Sequence, residues 1–361
     1  MTSPTPSINP DGFNTCPLPQ SEYDHVLLGH GSGGVLTAEL IERIFMPAFD
    51  NETLAALEDQ ASVSLNGDAD GSSRIAVTTD AFVVQPIFFP GGDIGKLAVH
   101  GTVNDLAVGG AEPRFLAAAF VLEEGLAMND LRRVVASMRA ACAEAGVQLV
   151  TGDTKVVDRG KGDQLYITTT GIGIVPRETR LSIGNARPGD RVLVSGTIGD
   201  HGIAIMSVRE GIEFETPLQS DTAALNDLTR TMLGACPSIR CMRDPTRGGV
   251  SAALNELADA SRVGVKLAES SLPLRDEVRG ASEMLGLDPL DVANEGKLIA
   301  VAPPEDADRL LEVMRAHPLG RDAAIIGEIV EDHPGRVVLR SLVGGERVVM
   351  PITGEQLPRI C

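Results

Sequence analysis

From Tyr23 onward, apolar residues fall by turns into short continuous runs and into positions repeated at helical spacing. Val26-Leu27-Leu28 predicts a short strand, followed at once by Gly29-His30-Gly31-Ser32-Gly33-Gly34. Leu36, Leu40, Ile41, Ile44 and Phe45 then recur at helical spacing. Residues 74–79 and 82–84 predict strand, and 93–108 a helix capped by Asp93 after two glycines. Residues 115–122 read as a buried strand. The clearest helix spans 130–145, where Leu131, Val134, Val135, Met138, Cys142 and Ala145 share one face and Gly146 ends it. Strands follow at 147–150 and 165–175.

Arg187-Pro188-Gly189-Asp190 is turn chemistry and marks a domain junction. After it the alternation restarts. Strands are predicted at 191–194, 263–267, 297–302, 323–330 and 337–343, and helices at 201–209, 221–233, 249–262 and 306–316. A last apolar stretch covers 348–352. The predicted fold is α/β (α+β) in two domains, 22–186 and 187–352. A proline-rich flexible extension (1–21) precedes them and a mobile tail (353–361) follows.

Composition narrows the function. At ~150 residues per domain, 361 residues agree with two domains. No apolar run approaches the ~20 residues of a membrane span. The first 20 residues hold neither a basic nor an apolar signal region, so a cytoplasmic protein is expected, without membrane contact. Acidic residues outnumber basic ones by 50 to 31, for a net charge of −19. Such a surface repels a phosphate backbone, which argues against nucleic acid; any phosphate ligand must be held locally. Cys16, Cys142, Cys236, Cys241 and Cys361 need no disulfides in a chain of this size. Cys142 reads as a small core residue, and the Cys236/Cys241 pair lacks the second ligand pair of a zinc site.

Several residues stand where chemistry is done. The glycines of 29–34 let backbone N–H groups converge on an anion, although the loop is neither a P-loop nor a dinucleotide fingerprint. Asp80, Asp105, Asp153 and Asp244 stand beside glycines, turns or element ends, and Asp105 interrupts an apolar helix pattern. Carboxylates so placed suit Mg²⁺. Lys155 could neutralise a phosphoryl group, and Glu295, just before a strand, could point a base into a cleft. Cys361 is the last residue, after Leu357-Pro358-Arg359-Ile360. A tail loose from Thr353 would span at most ~26–29 Å, enough to carry the thiol into and out of a cleft.

Taken together, Gly29–Gly34, Thr79-Asp80, the stretch from Phe89-Pro90-Gly91-Gly92-Asp93 to Asn104-Asp105-Leu106-Ala107, Gly152-Asp153-Thr154-Lys155-Val156-Val157, Arg243-Asp244-Pro245-Thr246-Arg247-Gly248-Gly249, Ala293-Asn294-Glu295-Gly296 and Pro358-Arg359-Ile360-Cys361 resemble the HypE family of hydrogenase maturation factors. That family lies in the superfamily of aminoimidazole ribonucleotide synthetase and selenophosphate synthetase. The resemblance covers about Val26 to Cys361 and implies an N-terminal domain that forms a homodimer through a β-barrel. It also implies a C-terminal α/β domain and ATP between the two. A carbamoyl group from HypF on Cys361 would be dehydrated with ATP to a thiocyanate. The cyano group would pass to the iron of a [NiFe]-hydrogenase on HypC–HypD.

The resemblance further implies that Asp80, Asp105 and Asp153 hold Mg²⁺ and ATP, with Gly31, Ser32, Gly33, Gly34 and Asn104 near the nucleotide. Asp244 and Arg247 would complete the site. Lys155 and Glu295 would flank the thiocarboxamide, with Glu295 as base, and His100 would face the same region. Two other readings remain open from the residues alone: a small-molecule kinase or selenophosphate synthetase on the same fold, and a nucleotide-binding scaffold without turnover.

Overall fold

A computed structural model describes residues 23–49, 51–64, 74–212, 218–354 and 359–361. The predicted extension 1–21, Cys16 and residues 355–358 of the predicted tail lie outside them.

The chain enters as a 3₁₀ turn (Leu28–Gly31), followed by α1 (Val35–Leu40), a π-helical turn (Ile41–Phe45), α2 (Met46–Phe49) and α3 (Glu52–Ala55). The strand predicted at 26–28 does not form. Val26 and Leu28 are exposed, and three apolar residues without a neighbouring strand bury too little to fix one. The first sheet comprises β1 (Ala61–Ser64), β2 (Arg74–Phe82), β5 (Glu112–Glu123), β6 (Gln148–Val157) and β7 (Leu165–Val175), in the order β1-β2-β7-β5-β6. Between β2 and β5 lie a short hairpin of β3 (Phe88–Phe89) and β4 (Gly92–Asp93) and the helix α4 (Ile94–Val108). The Asp93 carboxylate accepts from Gly95 N–H at 2.8 Å and Lys96 N–H at 3.1 Å, the expected N-cap. The helix α5 (Met128–Ala145) ends at Gly146, whose φ of 71° is the left-handed cap that glycine takes without strain.

Alternation along the strands sorts the first sheet into two faces. Ala76, Thr78, Asp80, Thr169 and Ala118 point toward α4, which packs across β2 and β7. The opposite face carries Phe115, Ile172 and Ile174, all exposed. The Gly152–Lys155 motif, expected just after a strand, lies inside β6, the outermost strand of this sheet.

The second sheet holds β8 (Arg191–Val194), β9 (Cys241–Arg243), β10 (Gly264–Ala268), β11 (Ile299–Ala302), β12 (Ala324–Val330), β13 (Arg336–Arg340) and β14 (Glu346–Val349), in the order β14-β13-β10-β12-β8-β11-β9. Its helices are α6 (Asp200–Glu210), α7 (Asn226–Ala235), α8 (Gly249–Ser261), α9 (Asp276–Leu285) and α10 (Pro304–Ala316). Consecutive residues of β8 serve two cores. Val192 and Val194 join Val250 and Leu254 of α8, while Leu193 joins Leu228 of α7 and Leu310 of α10. A strand buried on both faces reads as the continuous apolar run 191–194. Among the described residues only β5–β6 and β10–β13 pair parallel. The fold is therefore mixed α/β with mainly antiparallel sheets. Helix α9 was missed because its sequence, Asp276-Glu277-Val278-Arg279-Gly280-Ala281-Ser282-Glu283-Met284-Leu285, has only a thin apolar face.

Candidate active site

Helix α4 is the seam between the two halves. Asn104, expected at the nucleotide, instead ties them together. Its amide N–H groups donate to Ala223 O at 3.0 Å and Glu295 O at 3.1 Å, and its carbonyl accepts from Leu225 N–H at 2.8 Å. With donor and acceptor both engaged and the residue buried, Asn104 is a structural clamp. Asn294 does the same on the other side, accepting from Gly199 N–H at 2.8 Å and donating to Pro245 O and Val292 O at 3.0 Å each. These two clamps hold the backbone on both sides of Glu295.

Around this seam the structure gathers carboxylates. Thr102 donates to Asp80 at 2.8 Å, and Thr78 donates to Asp105 at 2.7 Å. Asp59, which no motif marked, pairs with Arg243 at 3.1 Å. Asp244 is buried with one oxygen lacking a hydrogen-bond partner. Burial pushes the Asp105 carboxyl well above its usual range, and the neighbouring Asp80, Asp244 and Asp59 push it further. Burial likewise raises Asp80, against the Thr102 hydrogen bond and Arg247, and lifts Asp244 to about 6. Arg247 is the cation of the group, its own pKa raised first by Cys361 and then by Asp80, Glu295 and Asp105.

The sign of the resulting pH dependence follows directly. These carboxyls bind protons more tightly folded than unfolded, so their contribution to stability is present below their unfolded values. It is lost as pH rises through the folded values, for Asp244 around pH 6. Asp105→Asn should therefore stabilise the protein at pH 8, by about 1–2 kcal/mol. Thermal unfolding at pH 5 and pH 8 checks this; the gain should shrink at pH 5.

The chain's last residues enter the same seam. Cys361 and Ile360 are buried, and Cys361 O accepts from Val83 N–H at 3.2 Å. Burial pushes the Cys361 thiol up to about 12, and Glu295 raises it while Arg247 opposes. Glu295 is 2% exposed, and neither of its carboxylate oxygens has a hydrogen-bond partner. Its pKa stands well above the usual carboxylate value, through burial first and then Asp221 and Asp244. Asp221 accepts from Glu295 N–H at 3.0 Å and faces Lys297 at 3.4 Å. A buried, unpartnered carboxyl of raised pKa beside a thiol has the properties of a general base.

His100 is also buried. Its Nδ1 lies 3.2 Å from Thr222 Oγ1, its Nε2 has no partner, and burial lowers its pKa to about 3, so the ring is neutral. The glycine loop packs against the Arg247 segment and the root of the tail. Ser32 donates to Gly354 O at 3.1 Å. A Cβ on Gly34 would stand 2.2 Å from Ile352 O, and one on Gly33 (φ +78°) 2.7 Å from Arg247 Cβ, so these glycines permit close backbone approach. Gly31 faces open space.

Asp153 and Lys155 are not brought to this cluster. Both are exposed on β6, paired with each other at 3.5 Å. Asp153 is registered opposite Ala119, which is registered opposite Thr168, and Thr168 opposite Ala81. Three strand spacings put it ~14 Å from β2. It also lies on the face away from Asp80, because Asp80 and Ala81 point to opposite sides. The proposed ligand set of Asp80, Asp105 and Asp153 does not converge within one chain. Among the described residues no three His, Cys, Asp or Glu side chains are grouped so as to hold a metal ion. Sequence reasoning missed Asp59, Asp221 and His201. Asp59 and Asp221 stand in no glycine-flanked motif, and for all three, His201 in Gly199-Asp200-His201-Gly202 included, only tertiary packing brings them here.

Two family models match the chain: AIR synthase related protein, N-terminal domain, over residues 57–175, and the corresponding C-terminal domain over 187–340. The carbamoyl dehydratase HypE of Azotobacter vinelandii is 57% identical over 332 residues, covering 92% of this chain and 96% of that protein. The chain belongs to the carbamoyl dehydratase HypE family. Among solved structures, HypE in complex with ATP is 47% identical, with a TM-score of 0.78 over 93% of this chain and 100% of that one. HypE in a HypE–HypF complex is 48% identical, with a TM-score of 0.81 over 87% of this chain and 99% of that one. Family membership turns the seam from a cluster of charges into a site with a reaction to explain. A buried thiol, the buried Glu295 carboxyl and a group of carboxylates meet in this seam, and a relative has been solved with ATP. Among the described residues no helix is long and apolar enough to cross a membrane.

Proposed function

We propose that this chain uses ATP to dehydrate a carbamoyl group carried on the Cys361 thiol to a thiocyanate, the source of the cyanide ligands of a [NiFe]-hydrogenase iron. The observation that carries this reading is Cys361 buried beside the unpartnered Glu295 carboxylate in the seam between the domains. The thiocarboxamide oxygen attacks the γ-phosphorus of ATP, releasing ADP, and one N–H proton passes to solvent to leave a neutral imidate nitrogen. The imidate phosphate then loses an N–H proton to Glu295 and its C–O bond breaks, leaving the S–C≡N group and inorganic phosphate. Phosphorylation converts a poor leaving oxygen into a good one, and Arg247 offsets the charge on the transferred group.

Asp80 and Asp105 would hold Mg²⁺ with the nucleotide phosphates. The donor set fits, since carboxylates that raise one another's pKa and an orphaned Asp244 oxygen all favour a hard cation. Mg²⁺ would supply charge neutralisation at the phosphoryl oxygens. HypF is the carbamoyl donor on this reading, in line with the relative solved with HypF, and HypC–HypD the acceptor of the cyano group, in the cytoplasm.

The chain acts as a homodimer through the sheet face that carries Phe115, Ile172 and Ile174, two such faces closing into a β-barrel. This face also carries Asp153 and Lys155, which would then serve the partner's nucleotide and thiocarboxamide. Ile172→Asp should convert the dimer to monomer in analytical ultracentrifugation, since it buries a charge in an apolar interface. A dimer that persists would remove this interface. The reaction itself is tested by mass spectrometry of the C-terminal peptide after incubation with HypF, carbamoyl phosphate and Mg–ATP. A carbamoyl adduct on Cys361 that loses one water supports the reading; an unmodified Cys361, with ATP bound, overturns it.

A further inference from the structure

The last three residues are held by a socket built from residues 83–85, His201 and Arg209. Val83 N–H donates to Cys361 O and Gln85 N–H to Arg359 O, both at 3.2 Å. Residue 83 opposes 361 and 85 opposes 359, so the segment runs antiparallel to the chain just beyond β2 and is held by its main-chain N–H groups. His201 Nε2 lies 2.7 Å from Ile360 O. A carbonyl only accepts, so Nε2 carries the proton; His201 Nδ1 then accepts from Ser220 Oγ at 2.8 Å. Ser220 Oγ in turn accepts from Thr222 N–H at 3.1 Å, which fixes the tautomer.

The side chains are read as well. Ile360 is 4% exposed and belongs to the core cluster of Val84, Phe89, Ile205 and Ala293. Its Cδ1 lies over Gly202, where an added Cβ would stand 3.3 Å away. Arg359 pairs with Asp163 at 3.3 Å and donates to Gln85 Oε1 at 3.3 Å. Arg209 donates to Gln85 O at 2.5 Å and also to Arg359 O, joining the two segments. The socket therefore recognises an arginine, a buried aliphatic residue, two main-chain carbonyls and an oxygen of the terminal carboxylate.

We propose that this socket is an autonomous peptide-binding site that accepts a peptide ending in Arg-Ile-Cys in trans. The inference deepens the dehydratase reading and rests on it only for the chemistry that follows binding. A tether of a few residues supplies a millimolar effective concentration, so a tail that must also leave needs only weak intrinsic affinity. An untethered peptide should then bind with a dissociation constant of roughly that order.

The test uses the full-length chain carrying Ile360→Asp and Cys361→Ala. Its own tail then has neither the aliphatic anchor nor the thiol. The probe is a fluorescently labelled octapeptide of the sequence of residues 354–361. Saturable anisotropy is expected at millimolar peptide. Replacing the peptide's isoleucine by aspartate should weaken binding ~10- to 100-fold, and His201→Ala in the protein roughly 2- to 10-fold. The Cys361→Ala chain with its own Ile360 should bind the peptide more weakly than the double variant, because its tail competes. No saturation, in protein that still binds ATP and unfolds cooperatively, overturns the inference. So does binding indifferent to the isoleucine. The measurement needs no ATP, so the dehydratase reading is judged separately. It fails if bound S-carbamoyl peptide keeps its water with Mg–ATP, while the same wild-type chain leaves its own carbamoylated tail unchanged.

Discussion

Glu295→Gln is expected to lower the rate of dehydration by about 10²- to 10⁴-fold while leaving carbamoylation of Cys361 intact. The substitution keeps the shape of the side chain and removes the group that takes the amide proton. Both carboxylate oxygens lack protein hydrogen-bond partners, so the amide disturbs no network. Burial, Asp221 and Asp244 hold the carboxyl protonated to higher pH than an ordinary glutamate. A base acts only when deprotonated. The wild-type rate should therefore rise with pH through the raised Glu295 value and then level off. The residual rate of the Gln variant should lack that rise. Single-turnover assays from pre-carbamoylated protein, read by peptide mass, measure both. Dehydration by the variant at the wild-type rate would remove Glu295 as the base.

Cys361→Ala is expected to abolish product altogether, with ATP binding retained, because the thiol carries the substrate. Cys361→Ser, which preserves size, should be equally inactive in thiocyanate formation. The buried position adds a kinetic expectation. A thiol pushed up to about 12 is almost wholly protonated at pH 8. Its thiolate fraction is then ~10³-fold below that of an unperturbed cysteine. Alkylation by iodoacetamide should accordingly be slow in the wild-type chain. It should accelerate when Ile360→Asp drives the tail out of its socket, with Cys142, Cys236 and Cys241 as internal references in the same digest. Equal alkylation rates with and without Ile360→Asp would show that the docked position does not control the thiol.

Much of the site was legible because its chemistry sits in short motifs. Asp80, Asp244, Arg247, Glu295 and Cys361 stand near a predicted element end, a turn or the end of the chain, and Asp105 interrupts the apolar pattern of a helix. The same local logic predicted α4 with its Asp93 cap, α5 with its Gly146 stop, and the strands 165–175 and 191–194. Periodicity of 3.6 or 2 is a property of the segment itself and survives without tertiary information.

What only the tertiary structure decided is which of these residues meet. Asp153 and Lys155 share the motif character of the others, yet the register of β6 against β5 turns them to the opposite face of the sheet. A difference of one residue in a strand is the difference between two faces, and composition carries no trace of it. Asn104 looked like a ligand beside Asp105, but the second domain's backbone engages its whole amide. Antiparallel pairing of most strands, too, follows from how the connections cross the sheets and not from the strands themselves. His201 was one histidine among six, at the start of a predicted helix, and only packing brings Ile360 O against it. The residues were chosen locally, but a buried site is made by long-range contacts, and those are properties of the folded chain alone.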